Sequence, residues 1–197
     1  MLLSMPTKGR RRISDPKELR ALAHPLRMRL LKLISQEGKL TATQCAAELG
    51  ESVANCSYHL NMLAKYDYIE QAEGGQGREK PWQLVYEGHS WSNVNLDPEA
   101  ALAAGAASNT ALDYAIDTIR ERFQMEALES DEWRDALGFT ESHEFLTPAE
   151  VATMRREIWE IMRRYKERRD DPAKRPDGAR PVTLSLFTTV APGIKPV

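Results

Sequence analysis

Apolar residues mark out a series of short helices in the first third of the chain. Leu19, Leu22, Ala23 and Leu26 recur at helical spacing after Asp15-Pro16, a pair suited to an N-cap and first turn. Pro25 lacks an N–H and clashes with the preceding turn, which predicts a break near His24. A second stretch, from Leu26 to Ser35, offers Leu30, Leu31, Leu33 and Ile34 for burial and ends at Gly38. Thr41 or Thr43 can cap a short helix with Cys45, Ala46 and Leu49, closed by Gly50. Ser52 caps the next helix, in which Cys56, Leu60 and Leu63 share one face. About three residues separate these two helices, the connection of a helix-turn-helix. Residues 68–73 then read as a strand, 74–77 as a glycine tip, and 81–86 as a returning strand. A helix-turn-helix followed by such a hairpin predicts a winged helix.

After a polar joint, Glu87 to Asn95, the pattern changes. Asp97-Pro98-Glu99 starts an Ala-rich helix running to about Glu129, with Leu102, Leu112, Ile116, Ile119 and Phe123. Its length suggests either a break at Gly105 or a seam between subunits. Asp131 to Leu137 predicts a short helix ending at Gly138. Thr147-Pro148-Ala149-Glu150 combines a capping box with proline at the first helical position, ahead of an apolar stripe through Val151, Met154, Ile158, Ile161, Met162 and Tyr165. Asp170 to Arg180 is a charged connector. Val182 to Val190 alternates and is β-branched, which predicts a strand, with Thr140 to Leu146 as its candidate partner. The expected fold is mainly α with a small β component. Its parts are a flexible basic arm (1–14), a winged helix-turn-helix head (15–87), and a helical body with a short β element (96–197).

Composition narrows the class. With 197 residues the chain can bury a sizeable core without disulfides, and its 2 cysteines are too few for a disulfide framework or a four-cysteine zinc site. No run reaches the ~18 apolar residues of a membrane span. The first five residues are too short for a signal-peptide core, so the expected location is cytoplasmic. A formal net charge of -2 argues against a nucleic-acid binder until it is divided along the chain. Residues 1–86 hold 13 Lys and Arg against 9 Asp and Glu, a balance of +4, and the remaining 14 against 20 give -6. A basic head on an acidic body suits a small DNA-binding module attached to a regulatory or assembly unit.

Particular residues sharpen this. Leu22-Ala23-His24-Pro25-Leu26-Arg27 precedes the leucine-rich helix, Ala46-Ala47-Glu48-Leu49-Gly50 forms the turn, and Ser57-Tyr58-His59-Leu60-Asn61-Met62-Leu63 lies in the second helix. Followed by Tyr68-Ile69, a glycine tip and Arg78, this order resembles the ArsR-type winged helix-turn-helix transcriptional regulators over residues 15–87. The resemblance implies a homodimer that binds double-stranded DNA, commonly a repressor released by a small effector.

DNA reading can also be argued from the side chains. Burial of Cys56, Leu60 and Leu63 turns Ala54, Ser57, Tyr58 and Asn61 outward at 100° per residue. That face is uncharged and hydrogen-bonding, and its small residue permits close approach to the major groove. Asn61 suits adenine, while Ser57 or Tyr58 suits a base edge or phosphate. Ser52 and the helix N-terminus suit a phosphate. Lys65, Arg78 and Lys80, with the arm's Arg10, Arg11 and Arg12, supply the salt-sensitive attraction. Glu51, Glu73 and Glu79 are expected near the same surface.

Metal and catalytic chemistry find little footing. Leu40-Thr41-Ala42-Thr43 stands where metal-sensing relatives carry a cysteine pair, and the long helix offers Asp113, Asp117 and Glu121 but no histidine. Cys56 and His59 provide two ligands, short of a zinc site. Cys45 and Cys56 read as core residues, with thiol sensing as the alternative. His59 reads as a phosphate contact or as packing against the wing. No nucleophile elbow, phosphate loop or dinucleotide fingerprint occurs, so neither an enzyme nor a cofactor is expected. In the body, Trp91, Tyr114, Phe123, Trp133, Phe139, Phe145, Trp159 and Phe187 supply either core packing or the lining for a small apolar effector. The alternative function is a winged-helix module for protein–protein interaction, with little direct DNA binding.

Overall fold

A computed structural model describes residues 8–74, 79–91 and 96–190. Two helices open the head: α1 (Pro16–Leu22), with Asp15 accepting from the Lys17 and Glu18 amides, and α2 (Pro25–Glu37). The break between them falls at His24, which becomes the N-cap of α2. α3 (Ala42–Leu49) starts in a capping box between Thr41 and Gln44, and α4 (Val53–Lys65) starts at Ser52. Each cap satisfies amides that have no partner inside the helix.

Strand β2 (Ile69–Gln71) pairs antiparallel with β3 (Trp82–Leu84), and an isolated bridge joins Leu40 to Trp82. The hairpin therefore seals against the chain between α2 and α3. Leu19, Leu22, Leu30, Ile34, Cys45, Cys56, Leu60, Leu63 and Ile69 form one buried cluster beneath it. Burying a leucine-sized side chain contributes about 1.5–3 kcal/mol, so this cluster is the main support for α4's position. The fold is mainly helical, with a helix-turn-helix near its N-terminus and small β elements.

The expectation of a flexible arm fails for its second half. Residues 8–12 form β1 (Lys8–Arg12), paired parallel with β4 (Tyr86–Ser90). Ile13 is 1% exposed and its amide donates to the Ser90 carbonyl at 2.8 Å. Arg11 pairs with Glu18 at 2.6 Å, donates to the Tyr66 carbonyl at 2.9 Å and lies 5.3 Å over the Tyr86 ring. A buried isoleucine and an arginine with three protein partners hold the segment in place. Residues 1–7 lie outside the described residues.

The head's packing also continues beyond residue 87. Helix α5 (Pro98–Met125) is unbroken at Gly105; a single glycine costs only about 1 kcal/mol in a helix, and alanines surround it. Ala100, Ala103, Ala104 and Ala107 are its buried residues, spaced to form one stripe of small side chains against α1 and α2. Farther on come α6 (Asp131–Ala136), α7 (Pro148–Arg163) with the Thr147–Glu150 capping box, and α8 (Lys166–Asp170). Neither 140–146 nor 182–190 forms the strand expected of it. Alternating β-branched residues supply propensity, but a strand needs a ladder partner, and Val182, Leu184 and Phe187 remain exposed.

Candidate nucleic-acid interface

The turn between α3 and α4 fixes the orientation of the outer helix. Gly50 takes a left-handed conformation (φ 66°), which glycine adopts without steric cost, and its amide donates to the Ala46 carbonyl. Arg29 of α2 reaches across: Nη2 donates to the Leu49 carbonyl at 2.7 Å and Nη1 to Glu51 Oε1 at 3.3 Å. The other Glu51 oxygen accepts from Asn55 Nδ2 at 3.0 Å. Ser52 Oγ accepts from the Asn55 amide at 3.1 Å.

Helix α4 divides cleanly around its axis. Cys56, His59, Leu60 and Leu63 are buried. Ala54, Tyr58, Asn61 and Lys65 are exposed on the opposite side, and Tyr58 is 62% exposed. Ser57 is half-buried beside them. Asn61 Nδ2 donates to the Ser57 carbonyl at 2.8 Å, so its amide has a defined orientation. Ser52 is exposed at the N-terminus of α4, with its hydroxyl committed to the cap. Lys65 lies 5.7 Å over the Tyr66 ring and remains exposed. On the hairpin, Lys80 is exposed, whereas Arg78 lies outside the described residues.

Several residues have other duties than their positions in the chain suggest. Arg11 is held inside the head by Glu18, Tyr66 and Tyr86, which withdraws it from phosphate contact. Arg12 is exposed, and the Arg10 side chain lies outside those described. Two of the three acidic residues expected near the surface are structural: Glu51 ties Arg29 to Asn55, and Glu79 accepts from the Thr43 amide at 3.0 Å, linking the hairpin to the first turn of α3. Glu73 contributes its carbonyl to Lys39 at 3.3 Å.

His59 is turned inward, away from a phosphate-contacting surface. It is 7% exposed and lies against His24, with ring centroids 4.2 Å apart. Burial, with the nearby charges of His24 and Arg27, holds its pKa below the ordinary histidine range. The thiols of Cys45 and Cys56 are both buried; burial pushes Cys45 up to about 12 and raises Cys56 as well. Thiols so protonated are poor nucleophiles and poor metal ligands. Among the described residues no three His, Cys, Asp or Glu side chains gather as a metal site.

The aromatic set of the body does not converge on a pocket. Trp91 packs on the head and donates to Ser108 Oγ at 2.8 Å, while Trp133 lies under the Arg180 guanidinium at 4.9 Å. Phe139, Phe145, Trp159 and Phe187 are exposed. None of the described residues of α7 is buried, so its apolar stripe is uncovered.

Arg29 and Asn55 are absent from the site read from the sequence, where Glu51 is expected only as a nearby charge. Asn55 falls at the margin of the helical wheel, and only its position three residues after the Ser52 cap signals a first-turn role. The Arg29–Glu51 pairing spans 22 residues and has no local signature.

Among the described residues no helix is long and apolar enough to cross a membrane. A family model described as a helix-turn-helix domain matches residues 22–71, from the end of α1 through β2. No curated protein matches the chain. A crystal structure of M. tuberculosis Rv0081 is similar at 18% identity and a TM-score of 0.32, covering 52% of this chain and 90% of that one. The head is thus a helix-turn-helix domain, the kind of module that DNA-binding regulators carry.

Proposed function

We propose that this chain is a sequence-specific, DNA-binding transcriptional regulator of the ArsR-like winged-helix type, acting as a homodimeric repressor at a palindromic operator. The observation that carries this reading is the outward face of α4, where Ala54, Tyr58 and Asn61 stand exposed opposite the buried face of Cys56, His59, Leu60 and Leu63. Such a helix enters the major groove with a small residue allowing approach and polar groups meeting base edges. Ser52 with the α4 N-terminus, Lys65, Arg78 and Lys80 bind phosphates around it, and Ser57 or Tyr58 meets a base edge or phosphate. Residues 15–87 serve as the reading head and 96–197 as the dimerising body, which takes any apolar effector. Two heads on a two-fold axis read half-sites one helical turn apart, about 34–36 Å.

Affinity from phosphates makes binding salt-dependent. If the dimer contacts about 6–10 phosphates, affinity falls roughly 10³–10⁵-fold between 50 and 200 mM salt. The test is a titration of the full chain with duplex DNA from its own upstream region at both salt concentrations. Arg78→Ala should weaken all duplexes alike, and Asn61→Ala should relax sequence preference. Salt-insensitive binding, or unchanged binding by both variants, would refute DNA reading and favour a protein partner instead.

A further inference from the structure

The first turn of α4 carries an amide whose orientation is set from inside the head. Arg29 is anchored on the Leu49 carbonyl at 2.7 Å and holds Glu51 Oε1 at 3.3 Å, so the Glu51 carboxylate is placed by α2 rather than left free. Its second oxygen accepts from Asn55 Nδ2 at 3.0 Å. An ionised carboxylate only accepts, so the Asn55 nitrogen must face it and Oδ1 must point away. Oδ1 has no partner among the described residues, and the second Nδ2 hydrogen is also unused. Together they leave Asn55, an exposed residue, with one acceptor and one donor to offer.

Asn61 is oriented by the same rule. Its Nδ2 donates to the Ser57 carbonyl at 2.8 Å, another pure acceptor, which leaves its Oδ1 and one N–H outward. Asn55 and Asn61 flank Tyr58 along a ridge of residues three apart, with about 9 Å between them along the axis. At 3.4 Å per base pair that separation corresponds to roughly two to three base pairs. An acceptor–donor amide edge is the complement of adenine, which offers the N6 amino group and N7 in the major groove. N-terminal residues of a recognition helix are those that reach base edges.

We propose that Asn55 is a second adenine-reading residue, and that Arg29 and Glu51 are positioning residues that set its amide for that base. This rests on the DNA-reading function proposed above. Arg29 and Glu51 touch no base themselves; they remove the alternative amide orientation, in which Asn55 would offer its donor where adenine also has a donor.

The test is selection of bound duplexes from a random pool by the full chain and its variants. The wild-type motif should hold an A·T pair about two to three positions from the pair whose preference disappears in Asn61→Ala. Asn55→Ala should reduce discrimination at that A·T pair about tenfold while leaving affinity for a non-specific duplex unchanged. Glu51→Gln can turn a donor toward Asn55 and should relax the same position and no other. Arg29→Lys keeps the charge but loses the fork, and should give a smaller loss at that position. A purely structural role for the three residues would lower affinity for every duplex alike, without changing base preference, and would overturn the inference. So would an Asn55→Ala motif identical to the wild-type one, or a wild-type motif with G·C at that position. A wild-type chain that selects no duplex would overturn the DNA-reading function and this inference with it.

Discussion

Replacing Ile13 by alanine tests whether the segment before α1 belongs to the folded head. Ile13 is 1% exposed and joins the central cluster, and its backbone continues the β1–β4 ladder to Ser90. Alanine removes three carbons, worth about 0.8 kcal/mol each in transfer alone, or roughly 2.4 kcal/mol. Residual cavity raises the expected loss to about 3 kcal/mol, within the range for buried large-to-alanine changes. Arg12→Ala is the internal control, since Arg12 is exposed on the same strand and its loss should stay within about 0.5 kcal/mol. Urea unfolding followed by far-UV circular dichroism and by the fluorescence of Trp82 and Trp91 measures both. With a slope of about 2 kcal/mol/M, Ile13→Ala should lower the midpoint by roughly 1.5 M at unchanged slope. A midpoint shift no larger than that of Arg12→Ala would refute the packing of this segment and restore the flexible arm.

Acid should destabilise the fold through its buried and half-buried imidazoles. His89 sits edge-on to the Tyr68 and Tyr86 rings, and burial, with the nearby Arg11 charge, lowers its pKa from 6.5 to about 4. Between those values the unfolded chain binds the proton and the folded one does not, so stability is complete above pH 6.5 and falls toward pH 4 by about 1.4 kcal/mol per unit for this group. His24 and His59 shift in the same direction and steepen the fall; His89→Phe should remove about one proton from the slope of urea stability against pH, and an unchanged slope would contradict the assignment. Both cysteines should resist a thiol reagent at neutral pH and react only in denaturant, so prompt labelling of either in the native protein would show that burial does not protect it. Gly50→Ala meets no atom within 4 Å but must hold φ at +66°, so calorimetry should show a loss of about 1 kcal/mol from backbone strain alone.

The head was legible because its signals are local. Asp15, Thr41 and Ser52 are caps, Pro25 is a break, Gly38 and Gly50 are stops, and each acts through residues within four positions of itself. The outward face of α4 followed from three apolar residues at fixed spacing. What the chain order hid were relations between distant residues. Arg11 looked like one member of a basic run, yet its partners are Glu18, Tyr66 and Tyr86. Glu51 and Glu79 looked like charges that repel phosphate, yet both are committed to internal hydrogen bonds. The strand expected at 182–190 had propensity without a partner, and propensity alone does not make a ladder.

The contrast between the two ends of α5 bears on how such a regulator would work. Its first turns bury Ala100, Ala103, Ala104 and Ala107 against α1 and α2, so the helix is fastened to the head by closely packed small side chains. Its second half carries Leu112 and Phe123 exposed. Covering those residues would restrain the distal end of a rod about 42 Å long whose other end is fixed to the head. In the proposed homodimer, a change in how the distal ends of two such helices meet would act on the spacing of two α4 helices. On the proposed function, spacing between half-sites is the quantity a palindromic operator tests, so control of DNA binding need not act at α4 itself.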